Sequence, residues 1–486
     1  MLPVGFLPPE ILMHIFTYLT SVDIPDTLYA RRNLGWIRVT HVCHRWRTLA
    51  LQAPSLWVDF TFLKGDGTET MMDRARQIPL RVKMKSTYND ISRVLDCIRG
   101  RGPQLGLLHL IIDLPHRHKA LALENALILS ASRSLRHLCL KDIFLTWEGL
   151  RLSTLVSLDL THHWVDDRGV DRGRRLPTLA TFVSALREMQ NLRNLALHQA
   201  IRPLDAENPA DLAPYAALPH LSKLRINFEA SLMLALLQHI DVPPTTKIRM
   251  EFRPLLYNIP RYEVGLLLDQ LAAHVIAGQP LSIPSIHLNI KLKLEHGGLS
   301  ELSITARSME SVDLAFIAVF RSKSSYQIRH YSHLPELIYK LPFAICCSFE
   351  LHAVYMSSGN LSWDVRQWTS FFTDVDLRLP DIHTLTISVN HPPPLILLLE
   401  SCPKMMPELE TLVIHLHCIR KYEDIEAAVE ALSSCTSRGM QLKMLELHAH
   451  ESDGGVIKLI QQKLKDTIRK IRYVKDPIST SCRPNP

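Results

Sequence analysis

The sequence lacks any long hydrophobic run and any regular arrangement of cysteines. Its richest apolar stretch, residues 394–401, is far shorter than the roughly 20 residues that a membrane-spanning helix needs. The N-terminus has no early Lys or Arg, unlike a secretory signal. Nine cysteines without a C-x-x-C pair do not suggest a disulfide framework. We therefore predict a protein of the cytoplasm or the nucleus, with reduced cysteines and no membrane contact.

Recognisable catalytic and cofactor motifs are also missing. The sequence contains no phosphate-binding loop, dinucleotide-binding glycine motif, H-E-x-x-H, G-x-S-x-G or EF-hand loop. His162 and His163 precede Asp166 and Asp167, but they lie in a charged loop without flanking glycine or cysteine ligands, which we interpret as a solvated excursion between two repeats. We expect no catalytic residue, no metal and no cofactor.

Charge of one sign is only slightly in excess. The formal net charge is +7, which mildly favours acidic partners. We expect this charge to be spread over the long chain, without the concentrated basic footprint of a nucleic-acid domain, which disfavours nucleic acid as a partner. A composition of 47% hydrophobic and 21% charged residues is typical of a globular protein.

Two apolar segments occupy the first sixty residues. Residues 7–19 read LPPEILMHIFTYL, where Pro8 and Pro9 suit the first turn of a helix and Glu10 meets the positive end of its dipole. A second helical pattern runs from about residue 34 to 51 and is ended by Pro54. So small a module buries this much apolar surface poorly, and we expect the rest of the chain or another protein to cover it.

The segments LPPEILMHIFTYL and VTHVCHRWRTLALQAPSLW resemble the two halves of an F-box, with a lengthened connection between them. The resemblance covers roughly residues 5–60. It implies a three-helix module that docks on a Skp-family adaptor and, through it, on a cullin. The alternative is that these helices merely cap the following domain. The resemblance assigns adaptor contacts to Leu7, Pro8, Ile11, Ile15, Val42, Trp46 and Trp57.

A recurrent L-x-x-L-x-L pattern, with Ile sometimes replacing Leu, follows the N-terminal module. Its last two apolar residues alternate with a polar residue, as in a short strand with one buried face. Helix-like stretches lie between several cores, for example at residues 179–190, 232–240 and 424–435. The cores begin at residues 105, 135, 155, 192, 221, 283, 299, 382, 409 and 442.

This alternation predicts an α/β fold, a leucine-rich-repeat-like solenoid with parallel strands and outer helices. An unrelated α/β domain is the alternative. The spacing is uneven, and the cores at Ile283 and Leu299 are too close for two repeats. We divide the chain into an adaptor-binding module (5–60), a linker leading into the repeats (61–100), the irregular array (101–455), a C-terminal capping helix (456–475) and a flexible tail (476–486).

The polar positions within and just after each strand are expected to face the inner, concave surface and to bind a target protein. Aligning Leu412 with Leu445 places His415 beside His448, and His417 beside His450, which suggests a metal-binding or pH-sensitive patch. More simply, these histidines are polar surface residues. The candidate target-binding residues are Lys141, Asp159, His198, Arg225, Asn227, His415, Glu446 and His448.

These patterns together predict the substrate-recognition subunit of a cullin–RING ubiquitin ligase. The N-terminal module would hold the adaptor, and the repeats would hold an unidentified target protein. The alternative is a repeat scaffold, or a nucleic-acid-associated interaction protein, without a role in a ligase.

Overall fold

The structure is a computed structural model, and it describes twenty separate ranges of residues. In it the chain divides into two units, residues 1–224 with 235–243 and residues 225–234 with 244–486, which are described separately. Among the helices of the described residues, none has both the length and the apolarity of a membrane span. The structure describes residues 7–25, 34–60, 67–86, 88–112, 121–162, 175–204, 215–243, 245–252, 266–267, 270, 286–295, 298–308, 314–321, 346–355, 382–389, 408–415, 422–438, 442–449, 454–465 and 468–475.

The first unit begins with short helices. Helix α1 spans Pro9–Val22, and its first turn carries the proline and Glu10 that the sequence places there. The single helix predicted over 34–51 is wrong in detail. The chain forms a 3-10 helix over Gly35–His41, then helix α2 over His44–Gln52, because Cys43 adopts an extended conformation between them. A further 3-10 turn spans Pro54–Trp57.

Short parallel strands follow these helices in the first unit. Strands β1, β2, β3, β5, β7 and β8 pair in that order, all in parallel. The strands are β1 Asp59–Phe60, β2 Leu80–Ser86, β3 Leu105–Ile112, β4 Leu121–Leu123, β5 His137–Lys141, β6 Ile143–Leu145, β7 Ser157–Thr161, β8 Asn194–His198, β9 Ala216–Ala217, β10 Lys223–Phe228 and β11 Ile240–Asp241. Strand β10 begins in the first unit, and its residues from Arg225 onwards belong to the second.

Helices connect many of these strands, as parallel pairing requires. The predicted stretches at 179–190 and 232–240 are both helical in the structure, and the Thr178 hydroxyl caps the first of them by accepting a bond from the Thr181 N–H (3.2 Å). The helices are α3 Gly67–Ala75, α4 Tyr88–Ile98, α5 Asn125–Ala131, α6 Leu179–Arg187 and α7 Ala230–His239. The predicted linker over 61–100 therefore contains two helices and a strand.

Leucines from successive strands stack in two rows in this sheet. Leu108, Leu138, Leu158 and Leu195 are register partners across β3, β5, β7 and β8, and each is at most 1% exposed. The neighbouring row consists of Leu110, Leu140, Leu160 and Leu197, which are equally buried. Each buried leucine contributes about 2 kcal/mol to folding, so the rows fix the register as well as the stability.

The second unit combines parallel strands with an antiparallel meander. Strands β13, β14 and β15 pair antiparallel in chain order, whereas β12 pairs with β15, and β13 with β16, in parallel. Ile283 lies outside the described residues, but Ile286 and Leu288 of the same predicted core lie in β13, which pairs antiparallel with β14, the strand of the Leu299 core, so this part of the all-parallel prediction is wrong. The bounds are β12 Lys247–Phe252, β13 Ile286–Glu295, β14 Gly298–Ser308, β15 Leu314–Arg321 and β16 Cys346–Tyr355.

The last four strands return to the parallel pattern. Leu385, Leu412 and Leu445 are register partners and are fully buried, as predicted for their cores. The strands are β17 Thr384–Val389, β18 Thr411–His415, β19 Met444–Ala449 and β20 Lys470–Lys475, with helices α8 Tyr422–Ser437 and α9 Gly454–Leu464 between them.

The C-terminal prediction of one capping helix over 456–475 is half correct. Helix α9 ends at Leu464, and residues 470–475 form β20, parallel to β19. Ile460 and Leu464 are buried as the helical pattern required, and Ile468 is buried beyond the end of the helix. Beyond them the sequence KIRYVK alternates polar and apolar residues from Lys470 to Tyr473, and its β-branched and aromatic residues suit a strand.

Candidate functional site

Helix α1 carries apolar side chains on two neighbouring faces. Leu12 and Phe16 are fully buried, and the Phe16 ring meets the Trp46 ring of α2 edge to face at 5.2 Å between centroids. A second row follows at i, i+4, i+7 and i+11, and three of its four members are exposed. This row, here called the outer stripe of α1, consists of Ile11, Ile15, Tyr18 and Val22.

The outer stripe is unusual in this molecule. Ile11 is 45%, Tyr18 67% and Val22 57% exposed, and Ile15 is half-buried. Of the ten large apolar residues that are exposed in the described part of the chain, six lie between residues 11 and 42. Exposed apolar side chains that cluster in this way mark an interaction surface. The six are Ile11, Tyr18, Val22, Ile24, Leu34 and Val42.

The sequence-predicted adaptor contacts divide into three groups. Pro8, Ile11 and Val42 are exposed, the last 60% so at the break before α2. Leu7, Ile15 and Trp46 are half-buried, and the Leu7 carbonyl accepts a hydrogen bond from Arg45 Nη2 at 2.6 Å. These six residues are available to a partner at least in part. Sequence reasoning missed Tyr18, although it lies seven residues after Ile11 and so on the same helical face.

Trp57 forms the third group, and the structure does not support a contact role for it. Its ring is 1% exposed and packs edge to face on Trp36 at 4.8 Å between centroids. Its Nε1 donates a hydrogen bond to the Ala50 carbonyl (2.8 Å), and the Arg74 guanidinium lies 4.4 Å from the ring centroid. Trp57 is thus an internal anchor that joins the N-terminal helices to α3.

A second set of polar residues lies across the strands of the first unit. Lys83, His109, Cys139 and Asp159 are register partners on β2, β3, β5 and β7. The predicted residues Lys141 and His198 flank Thr161 in the next row, and all three are half-buried. His109 was missed, although it occupies the position in the first core that Cys139 occupies in the second.

Burial controls the ionisation of this row. Desolvation lowers the pKa of His109; Lys83 lowers it further, and Asp159 opposes both. Desolvation, followed by the charge of Asp159, raises the pKa of the Cys139 thiol to about 12. At neutral pH His109 is therefore uncharged and Cys139 is a thiol, which does not suit a nucleophile.

This ionisation leads to a labelling prediction. At pH 7.5 we expect N-ethylmaleimide to modify the exposed Cys43 rapidly, and Cys139 roughly 1000-fold more slowly than an ordinary thiol, because little thiolate forms. Peptide mapping by mass spectrometry of the folded chain measures both rates. Equal labelling of Cys43 and Cys139 would contradict the assigned burial, and unfolding in urea should remove the difference.

In the second unit the predicted Arg225 and Asn227 converge on a carboxylate that sequence reasoning missed. Glu251 of β12 is buried and accepts hydrogen bonds from Arg225 Nη2 at 3.1 Å, Arg249 Nε at 2.9 Å and Asn227 Nδ2 at 3.3 Å. Arg225 is exposed, but Asn227 is only 5% exposed, so its predicted role in direct target contact is not supported. Strand β12, KIRMEF, lacks the leucine pattern, which explains the omission.

The predicted alignment of Leu412 with Leu445 is confirmed, and it places His415 opposite His448. Their ring centroids are 4.3 Å apart, and the nitrogen Nε2 of His448 lies 2.7 Å from Glu446 Oε1. Arg472 Nη1 donates to the other carboxylate oxygen of Glu446 at 3.4 Å. No group of three or more metal-ligating side chains that could hold a metal occurs within the ranges described. His417 and His450 lie outside the described residues.

Comparison with known proteins bears on the N-terminal module. Residues 4–63 match the family described as F-box-like, in agreement with the boundaries 5–60 that the sequence suggested. This match supports the resemblance to an F-box protein over that segment. A search of curated proteins found no match to the chain.

Proposed function

We propose that this protein is the substrate-recognition subunit of a cullin–RING ubiquitin ligase. Its N-terminal module binds a Skp-family adaptor, and its parallel strands, arranged as irregular leucine-rich repeats, bind a target protein. The observation that carries this proposal is the exposed outer stripe of α1 within the F-box-like segment. Adaptor docking covers apolar side chains that the described part of the chain leaves in contact with water.

The chain itself supplies no chemistry in this proposal. It holds the target near the ligase, and ubiquitin transfer is accelerated because the reacting groups are at high effective concentration. The described polar rows, which contain Asp159, Lys141, Glu446 and His448, are varied enough to select one partner.

The adaptor test uses point substitutions in the full-length chain. Deleting residues 1–60 would also remove Trp57 from Arg74 and disturb α3, so truncation confuses binding with folding. We expect Ile11→Asp to weaken binding to purified Skp adaptor by roughly 30-fold or more, because a charge at the centre of an apolar contact remains desolvated. Isothermal titration calorimetry measures the dissociation constant.

Leu129→Asp is the matched control. Leu129 lies on helix α5 and is 45% exposed, as Ile11 is, so both changes add one charge to an equally exposed helical position. Leu129→Asp should leave adaptor affinity unchanged, and circular dichroism should show both variants folded. Equal losses in the two variants, or none in Ile11→Asp, would refute adaptor docking through α1. The alternative of a non-ligase scaffold would be favoured if the wild-type chain did not bind the adaptor but bound nucleic acid with an affinity that depends on salt concentration.

A further inference from the structure

The positive charge of the chain is concentrated near its C-terminus. Between residues 454 and 475 the sequence contains seven Lys and Arg residues and one Asp, a net charge of +6, whereas the entire chain carries +7. The expectation of a charge spread along the chain therefore does not hold for this segment. This segment, α9 together with β20, is a local basic surface on an otherwise nearly neutral protein.

Most of these basic side chains face solvent. Lys463 pairs with Glu426 at 3.1 Å, and Arg472 pairs with Glu446 at 3.4 Å. Four others are exposed and form no ion pair within the described part of the chain, so their charge is available to a partner. These four are Lys458, Lys465, Arg469 and Lys470.

Strand β20 is also the last strand in the pairing order of its unit. It pairs with β19 from Met444↔Lys470 to Ala449↔Lys475, and no other described strand pairs with it. Its outer edge therefore presents main-chain N–H and C=O groups along a six-residue strand. Basic residues on this edge repel a second copy of the same strand, which protects against self-association.

We propose that β20 binds an extended acidic segment of a partner protein, which adds to the sheet as a further strand. Main-chain hydrogen bonds to the free edge provide affinity, and side chains at alternate positions provide selectivity. Lys470 and Arg472 project from the same face of β20, since they are two residues apart. Arg472 engages Glu446 through Nη1 alone and keeps its other guanidinium N–H donors, so acidic residues at every second position of the added strand can pair with both.

The free edge favours a peptide over other polyanions. A nucleic acid or an anionic lipid has no groups that continue a β-ladder. Adaptor docking by residues 7–60 plays no part in this binding, so a failure of adaptor binding leaves the edge-strand contact intact.

The first experiment compares probes on the wild-type full-length chain. The probe is a synthetic ten-residue peptide of alternating Glu and Thr, and fluorescence anisotropy measures its affinity. A second peptide of the same sequence carries N-methyl groups on every amide, so it keeps the charge but loses its main-chain donors on both edges. We expect N-methylation to weaken binding by roughly tenfold or more. Equal binding of both peptides, or tighter binding of duplex DNA or phosphatidylserine vesicles, would overturn the proposal.

The second experiment uses variants with equal changes of charge. Lys470→Glu combined with Arg472→Gln alters the edge strand, whereas Lys458→Glu combined with Lys465→Gln alters exposed positions of the α9 region. We expect the first pair to weaken peptide binding by roughly tenfold and the second by less than about threefold. Equal losses would indicate unspecific attraction and contradict strand addition. The N-methylated peptide on wild-type protein decides the matter if a variant fails to fold.

Discussion

Replacing Trp57 by alanine is expected to destabilise the N-terminal module by about 4 kcal/mol. The ring is almost completely buried, so its removal leaves a cavity beneath Trp36 and withdraws the packing surface of the Arg74 guanidinium. The Ala50 carbonyl also loses the donor that now lies 2.8 Å away. Hydrogen exchange of residues 34–60, followed by mass spectrometry, measures the local free energy of opening.

Trp46→Ala separates stability from binding in the same module. The Trp46 ring is half-buried against Phe16, so its loss should cost only about 1–2 kcal/mol, while adaptor affinity falls because the ring belongs to the partly accessible group. Trp57→Ala should lower the affinity for the adaptor only to the extent that it unfolds the module. If Trp57→Ala weakened adaptor binding while hydrogen exchange stayed unchanged, the assignment of Trp57 as an internal anchor would be wrong.

Much of the sheet could be predicted from the sequence. The cores at Leu135, Leu155 and Leu192 coincide with buried strand positions because a one-sided strand must alternate apolar and polar residues. Strand β12 was not predicted, because its buried residues Ile248 and Met250 follow the same alternation but are not leucines. A search for leucines alone therefore finds fewer strands than a search for the period of two.

The errors in the candidate site have a common physical cause. Apolar periodicity marks the faces of a helix that avoid water, but it does not tell which face the same chain covers. In α1 the pattern assigns Leu12, Phe16, Ile11 and Ile15 to one apolar face. In the structure Trp46 packs on Phe16, so the face with Leu12 and Phe16 is buried and the face with Ile11 and Ile15 remains at least partly accessible. Only the exposed remainder is available to a partner.

The error at Trp57 follows from the error in the predicted linker. Residues 61–100 lack the leucine pattern, so no element was expected there that could cover the N-terminal module. Helix α3 nevertheless forms within this range and brings Arg74 over the Trp57 ring. A residue that looks like a contact in an isolated sixty-residue module becomes part of the interior once the next helix is included.

Gly35→Ala is expected to destabilise the same module by about 3 kcal/mol, although it adds only a methyl group. Gly35 has a φ of +51°, a conformation that costs an L-residue about 1–2 kcal/mol. A β-carbon there would also lie 2.6 Å from the backbone nitrogen of Pro25 and would clash with the Asp23 carbonyl. That carbonyl accepts the Trp36 N–H at 2.7 Å, so relief of the clash disturbs a second contact.

Two other glycines separate the contributions to this effect. Gly149 has a φ of +73° but open space around its β-position, so Gly149→Ala should cost only about 1 kcal/mol of backbone strain. Gly100 has neither a positive φ nor a neighbour within 4 Å, and Gly100→Ala should be neutral within about 0.5 kcal/mol. Hydrogen exchange around each site should give the order Gly35, Gly149, Gly100. Equal losses of stability at Gly35 and Gly149 would mean that residues 23–25 move away from the added methyl group at no cost in free energy. Their contact with Gly35 would then not hold the start of the 3-10 helix in place.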